Sequence, residues 1–250
     1  MFKKSDLLDI SNDAGIVTLS LQGNCFCVGL LKLLLTAFSA LKADSEVNGL
    51  LLTGFSGASQ GSGSTPMEAA AFSALGQKVM FALDGLGKPV IAAASGASIG
   101  AGVELALACD FIVAGRSASF AFPGIYSGEI PCFGGTQRLT RAIGKARAKE
   151  MIFTGAAVEA GKALEIGLVN RLYDDAELLG SARELLMGIC RQGTLALRMA
   201  KEIVDAGQGL DLKTACLMER DAFALCFATL DQREGMGSFL ERRPANFKGK

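Results

Sequence analysis

Histidine is missing from all 250 residues. Its absence excludes a histidine general base, a Ser-His-Asp or Cys-His triad and any histidine metal site. The seven cysteines, at positions 25, 27, 109, 132, 190, 216 and 226, include no CxxC pair. Their odd number fits a reduced, cytoplasmic chain better than a disulfide scaffold. Cys25-Phe26-Cys27 has the wrong spacing for a zinc knuckle, so no metal is expected. Apolar runs such as 90–94 are too short to span a bilayer, and the opening MFKKSDLLDIS lacks the apolar stretch of a secretory signal. Nor is there an excess of either charge: 25 basic residues face 25 acidic ones. That balance gives no support for a nucleic-acid or membrane partner.

What is present is a half-apolar chain with 20% charged residues, a composition that excludes bulk disorder. Its length suits one large domain, or a main domain with an appendage. Glycine supplies 31 residues, roughly twice ordinary usage, which points to tight turns and close backbone approaches.

Strand-like and helical stretches alternate through the first two thirds. The pattern predicts strands over 15–21, 47–53, 90–94 and 110–114, with 118–122 as a further candidate. Helices are expected over 30–41, 66–83 and 103–108. The run 47–53 (VNGLLLT) is apolar enough to be covered on both faces, as in an α/β layer. The remainder reads as helical, over 136–143, 145–153, 160–167, 178–188, 195–206 and 212–230. No fixed-period repeat or long polar linker divides the chain, so an α/β core over 1–195 and a helical region over 196–250 are expected.

Three stretches carry candidate chemistry. Residues 96–102 (GASIGAG) end a buried strand and feed the helix bearing Glu104. Helix-terminal N–H groups there would favour a negatively charged ligand, although small residues also relieve crowding between packed elements. The stretch lacks the GK[ST] ending of a phosphate loop and the GxGxxG pattern. Residues 57–64 (GASQGSGS) form a second such loop, and N–H donors from the two together would stabilise an oxyanion developing on a carbonyl. Glu104 itself sits at the start of an apolar helix. Helix electrostatics alone would place an acid there, whereas burial beside an oxyanion site would tune it for proton transfer. Asp110 reads as a turn or cap residue. The third stretch, 120–136, carries Gly124, Tyr126, Glu129 and Cys132 in a Pro/Gly-rich loop. Without histidine nothing activates Cys132 as a nucleophile, so a lining role is expected.

Taken together these stretches resemble the enoyl-CoA hydratase/isomerase, or crotonase, family. The resemblance runs from about residue 10 to the C-terminus. It is carried by KPVIAA (88–93), residues 96–102, ELALACD (104–110), GGTQRLTR (134–141), Thr154-Gly155, AGKALEIGLVN (160–170), REGM (233–236), FLERRP (239–244) and FKG (247–249). It implies a spiral of ββα units with C-terminal helices that build a homotrimer or dimer of trimers. It also implies an acyl-CoA or acyl-carrier-protein thioester as substrate, whose CoA or phosphopantetheine is the only cofactor-like group. The oxyanion donors would be the N–H groups of Gly63 and Ala101, with Ser62 and Gly100 beside them.

Where relatives use two glutamates, Glu104 matches the first and Gly124 stands at the second position. Glu129, five residues on, is then the expected replacement. Tyr126, Cys132, Phe247 and Lys248 are the remaining expected substrate contacts. The family's nucleotide-holding segment is shortened here to LQGNCFCVG (21–29), which favours a carrier-bound substrate. Three functions follow as alternatives: hydration, dehydration or isomerisation of an enoyl thioester by Glu104 and Glu129; decarboxylation of a malonyl- or glutaconyl-type thioester; or silent thioester binding.

Overall fold

A computed structural model describes residues 6–23, 25–59 and 65–250. Each turn of the chain adds a strand to a long sheet, then a shorter strand, then a helix. The first turn comprises β1 (Leu8–Asp13), β2 (Ile16–Leu21), β3 (Cys25–Phe26) and α1 (Val28–Ala43). The second is β4 (Gly49–Thr53), β5 (Ala58–Ser59) and α2 (Pro66–Asp84), and the third is β6 (Val90–Ala94), β7 (Ala97–Ile99) and α3 (Ala101–Ala106). The fourth contains β8 (Phe111–Gly115), β9 (Ser119–Ala121), a 3-10 turn (Pro123–Ser127), α4 (Gly135–Ile143) and α5 (Lys145–Thr154). β10 (Val158–Glu159), α6 (Ala160–Glu165), β11 (Arg171–Tyr173) and α7 (Leu178–Cys190) complete the core. Helices α8 (Thr194–Gly207), α9 (Leu212–Cys226) and α10 (Leu230–Glu241) follow.

The long sheet has the order β1-β2-β4-β6-β8-β11, with every pair after the β1–β2 hairpin parallel. The short strands pair separately, β3 with β5, and β9 between β7 and β10. This is the expected ββα spiral. Parallel strands need crossover helices, and those helices cover the sheet. Successive side chains of β4 accordingly enter different clusters. Leu50 and Leu52 pack in the main core with α1 and α2, while Leu51 joins Ile91, Val113 and the α7 residues Leu178, Ala182 and Leu186. Pro66 opens α2, where Thr65 Oγ1 accepts from Glu68 N at 3.2 Å and Glu68 Oε2 accepts from Thr65 N at 3.1 Å. That reciprocal cap satisfies two helix-terminal donors.

Two sequence expectations are corrected. The stretch 212–230 is not one helix: the chain turns over 227–229, and Thr229 Oγ1 accepts from Gln232 N at 3.1 Å to begin α10. Residues 8–13, given no element from sequence, form a strand paired along its length with β2. Among the described residues no helix is long and apolar enough to cross a membrane.

Candidate functional site

The N-terminus of α3 lies against the loop that follows β4. Gly102 N donates to Gly57 O at 3.2 Å, and a methyl group at Gly102 would stand 1.9 Å from Phe55 O. Only glycine permits that approach, so the small-residue run 96–102 does join two loops at one sheet edge. Gly100 is tied from both sides, its N–H to Ala121 O at 2.9 Å and its carbonyl to Glu104 N at 3.1 Å. Ala101 is buried, and its N–H belongs to the first helical turn, where donors have no intrahelical acceptor. Ser62 and Gly63, the other half of the expected oxyanion pair, lie outside the described residues.

Glu104 points from α3 toward the start of α4 and is 2% exposed. Its Oε1 accepts from Phe133 N and from Gly135 N, each at 2.7 Å. Burial raises the carboxyl above the ordinary glutamate range, against the lowering effect of the Gly135, Phe133 and Cys132 amides and of Arg138. Gly135 is required by this fit. A methyl group there would meet Glu104 Cγ and Oε1 at 2.8 Å and Pro131 Cβ at 2.9 Å.

Helix α2 holds the same segment from the other side. Ser73 Oγ donates to Cys132 O at 2.6 Å, and Gln77 Nε2 donates to the same oxygen at 3.2 Å. The Phe133 ring packs on Phe72, with centroids 5.2 Å apart. Sequence reading missed Phe133, Gly135, Ser73 and Gln77 as parts of the site. The Gly134-Gly135-Thr136 run ahead of a helix was the available signal for the first two.

The 3-10 turn brings in Gly124 and Glu129. Glu129 N donates to Gly124 O at 2.9 Å, and the space where a Gly124 side chain would begin is 3.5 Å from Glu129 Cβ. Cys132 lies near both acids. Burial, then the charges of Glu104 and Glu129, push its thiol up to about 12. Glu104 is thus buried against the 133–135 segment and Glu129 is exposed beside Gly124 in the turn before it, with Gly100 and Ala101 at the base of the Glu104 helix.

Other expected residues are placed elsewhere. Tyr126 is 72% exposed, and its hydroxyl donates to Thr154 O at the end of α5. Phe247 packs beside Gly235 of α10. Lys248 N and Gly249 N donate to the buried Asp231 carboxylate at 2.6 and 2.9 Å, folding the tail onto the start of α10. These tail contacts are all with the C-terminal helices. Asp110 has the expected structural part, its carboxylate accepting from Val90 N at 2.7 Å and pairing with Lys201 at 2.8 Å. Among the described residues, no group of three His, Cys, Asp or Glu side chains is arranged to hold a metal ion.

A family model described as enoyl-CoA hydratase/isomerase matches residues 12–250. A crotonyl-CoA hydratase of Syntrophomonas wolfei is 42% identical over 222 residues, covering 86% of this chain and 85% of the relative. A mitochondrial enoyl-CoA hydratase of Pongo abelii is 38% identical over 245 residues, covering 95% and 84%. Among solved structures, an enoyl-CoA hydratase from Bacillus anthracis superposes with a TM-score of 0.92 at 32% identity, covering 98% of this chain and all of that one.

Proposed function

The chain belongs to the enoyl-CoA hydratase/isomerase family, and from that premise we propose that it hydrates an enoyl-CoA thioester, with Glu104 and Glu129 as its acid–base pair. The observation that supports this reading is the placing of Glu129 against Gly124, its N–H donating to Gly124 O at 2.9 Å, in the turn that leads into the segment holding Glu104. A displaced second glutamate thereby takes up the work that glycine cannot do.

Each residue then has a defined task. The thioester oxygen accepts from Ala101 N–H and from an amide near Gly63, so the charge of the developing enolate rests on preorganised dipoles. The Phe133 and Gly135 amides both bond Oε1, which fixes the carboxylate for proton exchange. One carboxylate draws the proton from water as oxygen attacks Cβ, and the pair returns a proton to Cα. General acid–base groups of this kind contribute roughly 10²–10⁴-fold. Cys132, half-buried and kept a neutral thiol, takes no part in the proton transfer. The relatives named above support CoA as the carrier of the acyl group.

Assembly belongs to the same proposal. Residues 1–195 form the thioester-binding core and 196–250 the assembly region of a homotrimer or dimer of trimers. Support comes from large apolar side chains left outside on the C-terminal helices, Phe239 at 79% and Leu240 at 76% exposure among them. In such an assembly Phe247 and Lys248 serve a neighbouring subunit's substrate.

The test is turnover of crotonyl-CoA, followed by loss of the enoyl-thioester absorbance, by the wild type and by Glu104→Gln. Turnover by the wild type and a loss of at least about a hundredfold in the variant are expected. An inactive wild type, or a fully active Glu104→Gln, would overturn the reading.

A further inference from the structure

Cys25 and Cys27 have no part in the chemistry above, yet the fold sets them side by side. β3 is extended, so residues two apart face the same way. Phe26 between them is buried in the main core, and each cysteine is half-buried, Cys27 with part of its side chain against that same core. Cys27 is also the N-cap of α1, a helix of sixteen residues. Its sulfur lies over the first helical turn, 3.7 Å from where a methyl group on Gly29 would stand.

We propose that Cys25 and Cys27 form a thiol–disulfide exchange site that takes small-molecule disulfides such as oxidised glutathione, with Cys27 as the attacking thiol and Cys25 as the resolving one. The Cys27 thiolate attacks one sulfur of the small disulfide, whose S–S bond breaks and releases one small thiolate. Cys25 gives its proton to water and attacks the Cys27 sulfur, releasing the second small thiolate. Two protein thiols are oxidised to one disulfide, and one small disulfide is reduced to two thiols.

The division of labour follows from position. The Leu30 and Gly29 amides, together with the Cys25 thiol, hold Cys27 below the ordinary thiol range. Burial, then the neighbouring Cys27, raise Cys25. Elsewhere burial pushes Cys132 up to about 12 and Cys190 up to about 11, and raises Cys109 as well. Only the thiolate is a nucleophile, so the chemistry is directed to Cys27. Two residues of extended chain separate Cα atoms by about 6.7 Å, the upper end of what a disulfide spans. A bridge there is easily reduced and suits exchange rather than permanent cross-linking. The site stands independently of the hydratase reading.

The test treats the reduced full-length protein with oxidised glutathione near neutral pH and maps each cysteine by peptide mass spectrometry. In the wild type, the peptide holding Cys25 and Cys27 should lose two hydrogens and retain no glutathione. Cys25→Ser should retain a glutathione adduct on Cys27, and Cys27→Ser should form neither product on that peptide. Serine is a favoured N-cap, so Cys27→Ser keeps α1, and a circular dichroism spectrum checks it. An unresolved adduct in the wild type, an adduct on Cys25 in Cys27→Ser at the wild-type rate, or faster modification of the exposed Cys216 would each overturn the proposal.

Discussion

In the spiral, β4 and β6 bury every residue, and the largest enclosed side chains are Phe26, Phe38, Phe120 and Phe133. In α8 to α10 the order is inverted. The buried residues there are Ala222, Asp231 and Ser238, while Phe223, Phe239 and Leu240 lie outside. The spiral thus completes its own core, whereas the C-terminal helices are held by polar contacts. Lys201 reaches Asp110 at 2.8 Å and Lys88 O at 3.1 Å, and Asp231 gathers the tail amides. A region that turns its apolar faces outward is suited to being covered, as in the assembly proposed above.

The largest effect should come from breaking that covering. Replacing Phe239 and Leu240 together by aspartate should convert the assembly to monomers, read by light scattering after size exclusion, with the circular dichroism of the spiral retained. If the double variant remains assembled, these faces are not the joint. Next is Gly135→Ala, which attacks the spiral from within. Its methyl group must displace Glu104 or Pro131, at a cost of about 1–3 kcal/mol in stability, visible as a lower denaturant midpoint. Crotonyl-CoA turnover should fall as well. An unchanged midpoint would show that the segment 131–135 yields freely.

The smallest effect is electrostatic. Glu104 is raised by burial in the folded chain, so between its unfolded and folded values the native state binds more protons. Its contribution to stability is greatest below the unfolded value and declines as pH rises through the folded one. Glu104→Gln, which keeps an acceptor for the Phe133 and Gly135 amides, should therefore gain thermal stability relative to the wild type as pH rises from the acid side through that window. A melting-temperature difference that shrinks with rising pH would contradict the sign.

The spiral was largely legible because a strand covered on both faces leaves a continuous apolar run, as in residues 90–94. Two-residue strands such as β3 and β5 have no pattern of their own, since pairing across the chain alone makes them strands. The break between α9 and α10 was hidden because 227–229 contains neither glycine nor proline, and the Thr229 cap acts through a hydroxyl.

In the site, Glu104 was visible as an acid on an apolar helix. The donors holding it are backbone amides of Phe133 and Gly135, which any side chain there would carry. Their identification needs the distance, not the letter. Glu129 came from the family resemblance, as the acid nearest the position where Gly124 stands, and the structure shows its N–H donating to Gly124 O.

In the proposed mechanism two carboxylates serve one acyl group, the second from a displaced position. Its most direct test is the kcat of Glu129→Gln on crotonyl-CoA at saturating substrate. A fall of at least about a hundredfold with KM little changed is predicted. A kcat equal to that of the wild type would contradict the claim and leave Glu104 without its partner.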